Sequence, residues 1–195
     1  MTFQFRKLLT ASLLALTAVS TLALSQDTGW YAGLGFGQSK AKNVDCSGTT
    51  SCDDKDTAFN IFGGYRFNKN FGAELGYWDL GKYTASGTGF TDEIKAKGFE
   101  LSAVGTLPIN EKFSIYAKVG AFRWDLDVNV SATGLGSASE SESGTDLTYA
   151  IGFKYHFTKN IAAGLAWQRF NDLGKESTTG KSDVDVIGGH LIYSF

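Results

Sequence analysis

The sequence predicts an all-β chain folded as an eight-stranded antiparallel up-and-down transmembrane β-barrel. Three observations predict it. Eight segments alternate larger apolar residues with small or polar ones at period two. The connections between them alternate between tight turns and long polar stretches. The final segment, 184–195, puts Ile187, Gly189, Leu191, Tyr193 and Phe195 on one face and Val186, Gly188, His190, Ile192 and Ser194 on the other. A closed barrel accounts for a chain that ends on such an aromatic strand, because its last strand pairs with its first and leaves no edge.

Residues 1–25 stand apart from this pattern. Arg6 and Lys7 precede an apolar run from Leu8 to Leu24, and Ala23-Leu24-Ser25 reads as a cleavage site. This is expected to be a cleaved secretory signal peptide, leaving 26–195 as a single outer-membrane barrel domain. The rival, a membrane anchor, needs a longer run and flanking charges. No cysteine lies within 1–25 to carry a lipid. Without Arg6 and Lys7 the 18 basic residues fall to 16 against 20 acidic ones, a net charge of −4, which argues against nucleic acid as a partner. No later stretch has the length of a transmembrane helix, so the exported chain is either soluble or a barrel.

The strands follow in order. Segment 30–39 sets Trp30, Ala32, Leu34 and Phe36 against Tyr31, Gly33, Gly35 and Gly37. Segment 57–67 sets Phe59, Ile61, Tyr65 and Phe67 against Asn60, Gly64 and Arg66. Segment 71–83 sets Phe71, Ala73, Leu75 and Tyr77 against Gly72, Glu74 and Gly76. Segment 97–107 opposes Phe99, Leu101 and Ala103 to Glu100, Ser102 and Thr106. Segment 113–128 opposes Phe113, Ile115, Ala117, Val119 and Ala121 to Ser114, Tyr116, Lys118 and Gly120. Segment 147–157 opposes Leu147, Tyr149, Ile151, Phe153 and Tyr155 to Ala150, Gly152, Lys154 and His156, and 161–173 opposes Ile161, Ala163, Leu165 and Trp167 to Gly164, Ala166 and Gln168.

One face is apolar and aromatic throughout, and the other mixes glycine, small polar residues and charges. A soluble barrel would turn the apolar face inward. Here the charged face is also the glycine-rich face, as a crowded interior requires, and aromatics gather at strand ends as in a membrane-interface girdle. Three connections are tight, at 68–70, 108–111 and 158–160; four are long, at about 40–56, 84–96, 129–146 and 174–183. Tight turns on the periplasmic rim and long loops outside is the outer-membrane arrangement. The first and third turns repeat one chemistry: Phe67-Asn68-Lys69-Asn70-Phe71 echoes Phe157-Thr158-Lys159-Asn160-Ile161.

The only two cysteines, Cys46 and Cys52, lie in the first long loop beyond an export signal, so a disulfide is expected. A zinc site would need further ligands, and the loop has no histidine; no metal or cofactor is expected.

These residues resemble the OmpA-type transmembrane domain and its small eight-stranded relatives. The likeness is carried by Gly63-Gly64-Tyr65-Arg66-Phe67-Asn68, Glu74-Leu75-Gly76-Tyr77 with Leu80-Gly81, Leu107-Pro108-Ile109, Ile115-Tyr116-Ala117-Lys118-Val119-Gly120, Trp124 and Tyr193-Ser194-Phe195. It runs through nearly all of 29–195. Family members often carry a peptidoglycan-binding domain after the barrel, whereas this chain stops at the eighth strand. The resemblance implies opposed charges in the lumen. Glu74 and Lys118 match such positions, but Val104, Lys154 and Gly164 stand where the family has a base, an acid and a base, so its ion-pair gate does not transfer intact.

The candidate site residues follow from the barrel. Arg66, Glu74, Glu100, Lys118 and Lys154 are expected to form a luminal charged network, because buried charges need partners. The turn at 108–111 is expected to set Glu100 about opposite Lys118. The network is read as a plug, with a proton or ion path as the alternative. Leu191, Tyr193 and Phe195 resemble the assembly signal of outer-membrane barrels and are expected to engage the barrel assembly machinery. His156 and His190 are luminal; barrel enzymes that modify lipid A use histidine with serine or acidic residues, but no nucleophile motif is present. The acidic run 137–144 is expected to be a flexible solvated loop, with Ca²⁺ or a host surface as its alternative ligands. Arg123 and Arg169 are expected to face outward near the loop rim, with contact to lipopolysaccharide phosphates and plain solvation as the two alternatives. The expected role is structural: membrane integrity, contact with outer-membrane lipids and lipopolysaccharide, and loop-mediated binding of a host or surface ligand. A lipid A-modifying enzyme or a narrow pore is the alternative.

Overall fold

The computed structural model describes residues 28–42, 50–132, 134, 136–176 and 180–195. The expected signal peptide and Cys46 lie outside them. Nine strands follow in order: β1 Gly29–Ala41, β2 Ser51–Asp53, β3 Lys55–Arg66, β4 Phe71–Gly87, β5 Phe90–Pro108, β6 Phe113–Ala132, β7 Gly136–His156, β8 Ile161–Leu173 and β9 Ser182–Ser194. Eight close into an antiparallel barrel in the order β4-β3-β1-β9-β8-β7-β6-β5, with β5 returning to β4. The ninth, β2, is a three-residue strip laid on the far end of β4, where Cys52 pairs with Ala85. First and last strands meet as expected: Leu34 pairs with Leu191, and Phe195 N donates to Trp30 O at 3.0 Å.

The three tight turns share one device. Asn68 Oδ1 accepts from the amides of Asn70 and Phe71 at 2.8 and 2.9 Å. Asn110 Oδ1 accepts from Lys112 and Phe113, both at 2.9 Å. Thr158 Oγ1 accepts from Asn160 and Ile161 at 3.2 and 3.0 Å. A short polar side chain that caps the amides two and three residues on supplies the partners the ladder cannot. The echo seen in two turns therefore extends to the third.

The opposite rim corrects the sequence reading. Two of the four expected long loops are strands. β4 and β5 run through 84–96 and leave only the Thr88–Gly89 corner, and β6 and β7 run through 129–146. The run 137–144 is therefore not a flexible loop: Glu140 pairs with Val128 and Glu142 with Leu126 across the β6–β7 ladder. Beyond the bilayer both faces of a hairpin meet water, so apolar alternation stops although strand pairing continues.

The faces sort as predicted. Leu101, Val119, Ile151 and Ile187 are exposed at 54–66 %, while Glu100, Lys118, Phe122 and Phe170 on the intervening positions are buried. A continuous exposed apolar band of this kind is a lipid-facing surface. Its periplasmic edge is an aromatic girdle of edge-to-face pairs, including Trp30–Tyr65 at 5.0 Å, Tyr155–Phe157 at 4.9 Å and Tyr193–Phe195 at 5.2 Å between ring centroids. Tyr77–Phe99 and Tyr149–Trp167 mark the other edge.

Candidate functional site

The lumen is filled in tiers, each dictated by which residues the inward face of each strand delivers. The central tier is ionic. Lys118 on β6 reaches between two acids: its Nζ lies 2.7 Å from Glu74 Oε1 on β4 and 3.1 Å from Glu100 Oε1 on β5. All three side chains are at most 7 % exposed. Every remaining acceptor is engaged. Glu74 Oε2 accepts from Tyr31 Oη at 3.1 Å, and Glu100 Oε2 accepts from Trp78 Nε1 at 2.7 Å and from Gln168 Nε2 at 2.9 Å. Ser102 Oγ donates to Glu100 Oε1. Gln168 passes the network on to Thr148 Oγ1 at 3.0 Å, and Thr148 donates to Arg169 O at 2.9 Å. A buried charge set is tolerable in this form, with partners on all sides.

Expected partners thus meet, but not by the expected register. Lys118 pairs on the ladder with Val104, and Glu100 pairs with Phe122. Glu100 is not opposite Lys118; the long lysine stem spans the offset.

Arg66 and Lys154 sit apart from the central cluster. Arg66 donates to Ser194 Oγ at 2.6 Å, and its guanidinium lies 5.7 Å from the Tyr31 ring centre. Lys154 Nζ lies 4.2 Å above the Tyr116 ring. Both face a periplasmic vestibule of about 410 Å³ that also receives Lys69, Lys112, Lys159 and His156. His156 Nε2 lies 3.2 Å from Ser114 Oγ.

The surroundings of Gly164 leave no room for a side chain. Lys154 pairs with Gly164, and Gly164 pairs with His190 on the next strand. The His190 ring lies across Gly164: a Cβ there would stand 2.6 Å from its Nε2 and would press on the Phe153 carbonyl. The imidazole packs edge-to-face on Tyr116 and Phe62, with centroids 5.6 and 6.5 Å away. His190 fills the space a base at 164 would need. It is therefore deeper than the periplasmic rim, where His156 stays.

Above the ions the lumen is apolar. Phe122 and Phe170 meet with their rings tilted at 56° and centroids 4.5 Å apart, Trp78 meets Phe170 at 5.2 Å, and Leu80, Trp124 and Leu126 complete the layer. Trp124 Nε1 donates to Asp146 Oδ2 at 2.7 Å. This layer was missed by the sequence reading, which scored the inward face for polar residues. Phe122, Phe170, Trp78 and Leu80 keep the inward parity, and their size at luminal positions is the available signal. Between this layer and the vestibule remains a cavity of only about 40 Å³.

The outer rim is bound by ion pairs. Arg169 lies on the outward face as expected, its guanidinium 5.3 Å from the Trp167 ring centre, and it is held there by Asp185: its Nε lies 2.6 Å from Asp185 Oδ1 and its Nη2 2.9 Å from Oδ2, a fork-to-fork pair. Arg123 is exposed on the outward face as expected. Lys82 and Lys95 flank Glu93 at 3.2 Å each and hold its carboxyl below the usual range. Lys97 and Ser141 do the same for Asp127. Among the described residues no cluster of acids, histidines or cysteines has the arrangement of a metal site.

Comparison with known proteins gives the same answer by another route. The OmpA-like transmembrane domain matches residues 25–195. Outer membrane protein A of Salmonella typhi is 29% identical over 196 residues, covering 97% of this chain and 55% of its own length. That of Klebsiella pneumoniae is 31% identical over 182 residues, covering 89% and 53%. The chain spans about half the length of the curated relatives it matches. Among solved structures, Neisserial surface protein A superposes with a TM-score of 0.63 at 17% identity, over 86% of this chain and 97% of its own. The attachment invasion locus protein Ail of Yersinia pestis gives 0.59 at 20%, over 87% and 99%.

Proposed function

Given that the chain belongs to the OmpA-like transmembrane domain family and lies in the cell outer membrane, we propose that it is a structural barrel whose lumen is closed by its own side chains and whose outer hairpins meet surface ligands. The observation that carries this reading is the tiered filling of the lumen. The Lys118 cluster and the Phe122–Phe170 layer lie in series, and the space enclosed between them and the vestibule is about 40 Å³. Room for about one or two waters is not a solute path. Planar-bilayer recording of the refolded chain should give no conductance steps; reproducible steps would replace this reading with the narrow pore.

The enzyme alternative has one contact in its favour, Ser114–His156, which opens toward the periplasm rather than the outer leaflet. Unaltered lipid A acylation on loss of the gene is the expected result.

The surface role rests on the β6–β7 hairpin. Beyond Trp124 it carries Asp125, Asp127 and Glu140 on its surface, the buried Glu142, and no basic residue. Ail has been crystallised with sucrose octasulfate, a heparin analogue. The acidic hairpin of this chain repels such a polyanion and favours a cationic surface. Replacing Asp125, Asp127 and Glu140 with their amides should abolish attachment to a cationic surface and leave the heat-modifiable barrel intact. Arg123, exposed at the outer girdle, is the proposed contact for lipopolysaccharide phosphate. Leu191 and Tyr193, outward on β9, and Phe195, exposed just past its end, are proposed to be read by the assembly machinery. Tyr193→Ala with Phe195→Ala should lower the folded amount in the outer membrane.

A further inference from the structure

Outside the Phe122–Phe170 layer, the lumen opens again. A cavity of about 230 Å³ lies in the extracellular extension of the barrel. Its walls are Tyr83, Ile94, Ala96, Leu126, Leu173 and Val184. These are inward residues of β4, β5, β6, β8 and β9, so the pocket is built by the closed sheet itself. Tyr83 Oη is turned away, donating to Leu80 O at 3.1 Å, which leaves its ring as the exposed surface of the wall.

The charged groups that line this pocket are of one sign, beside the neutral Thr84 and Ser182. Asp53 and Asp92 line it, and among the described residues no basic side chain does. Asp53 Oδ1 already accepts from the Lys55 amide at 3.3 Å. Asp92 differs: its Oδ1 is buried and has no hydrogen-bond partner. The neighbouring cations are committed elsewhere, Lys82 and Lys95 both to Glu93. A buried carboxylate oxygen without a partner is costly unless something supplies one.

An apolar chamber with an aromatic wall and one unmatched carboxylate oxygen has a definite chemical complement. We propose that the extracellular mouth binds a small amphipathic cation, an aryl- or alkylammonium, with its hydrocarbon part among Ile94, Leu126, Leu173 and Val184 and its ammonium on Asp92. An apolar cavity of roughly 150 Å³ accepts a benzene ring. The additional volume here admits a short ammonium arm. The tight apolar layer beneath makes this a dead-end site reached from outside, not a stage of transport. It does not depend on the surface role of the acidic hairpin.

The test uses the refolded chain, methyl-labelled at Ile, Leu and Val, in phosphatidylcholine nanodiscs. The probes are phenethylammonium and its neutral analogue 2-phenylethanol. Ring-to-methyl NOEs from the ammonium to Ile94, Leu126, Leu173 and Val184 are expected, while lipid-facing Leu101 and Ile151 show lipid contacts only. Asp92→Asn, which keeps the shape and removes the charge, should weaken the ammonium about tenfold and leave the alcohol unchanged. Ala96→Phe, which fills the chamber, should abolish both. Absence of the NOEs overturns the site. Equal wild-type affinity for ammonium and alcohol overturns the role of Asp92, and that comparison needs no variant to fold.

Discussion

The ammonium of Lys118 stands between the carboxylates of Glu74 and Glu100, at 2.7 and 3.1 Å, in the middle of the lumen. Removing it leaves two buried acids facing each other. Lys118→Met should destabilise the barrel by about 3–5 kcal/mol, the range for breaking a buried charge set from one side. Urea unfolding in lipid vesicles measures this. Adding Glu74→Gln and Glu100→Gln to Lys118→Met should recover a large part of the loss, because the uncompensated charge is gone. A triple variant as unstable as the single one would mean that packing, not charge, sets the cost.

Gly164 is a point of close packing between neighbouring strands. The His190 ring and the Phe153 carbonyl occupy the space of its missing side chain. Gly164→Ala should cost about 1–3 kcal/mol by overpacking. His190→Ala removes one of the two obstacles, so the double variant should be less destabilised than the sum of the singles. Additive losses in the same urea assay would show that the two positions do not share a space.

Much of this lumen was legible in the sequence. Period-two sorting identified which residues point inward, and thus named Glu74, Glu100 and Lys118 before any contact was known. It also named the Glu100–Lys118 pair, but on the wrong register. Strand register depends on hydrogen-bond stagger around the whole barrel, and the stagger puts Val104, not Glu100, opposite Lys118. The bulge between Asp79 and Lys82 was equally hidden. Gly81 takes φ +87 there, and Asp56 Oδ2 accepts from the Lys82 amide at 2.6 Å. That step brings both Leu80 and Tyr83 inward, against simple alternation. The strands hidden within 84–96 and 129–146 carry polar residues on both faces, and polarity alone does not separate a solvated hairpin from a loop.

The β4–β5 hairpin is expected to loosen in acid. The depressed Glu93 carboxyl, held by Lys82 and Lys95, favours the paired state above its unfolded value, and the contribution is lost as pH falls through the lowered folded value. Amide exchange at the outer end of β4 and β5, with intrinsic rates subtracted, should be unchanged between about pH 7 and 5 and rise only below the normal carboxylate range. Glu93→Gln should remove the step. High salt should blunt it, since these groups are exposed. A transition centred near neutral pH would point to a different group.

The first long connection offers the last test. Cys52 sits on β2, held against Ala85 of β4 beside the lining residues Asp53 and Thr84. A bridge to Cys46, the other cysteine of the chain, would pin β2 to the preceding segment at the mouth of the extracellular pocket. Closing so short a ring restricts the unfolded chain by about 2–3 kcal/mol at most in the loop-entropy model. The β-ladders and the lumen tiers that hold the barrel lie elsewhere. Reduction should therefore loosen the β2–β4 contact, seen as faster exchange at Ser51–Asp53, while urea unfolding of the barrel shifts little. Mass spectrometry of non-reduced, digested protein from the outer membrane should find one cross-linked peptide containing both cysteines. Two free thiols would remove the bridge, and collapse of the barrel on reduction would mean that this connection supports the wall rather than shaping the mouth.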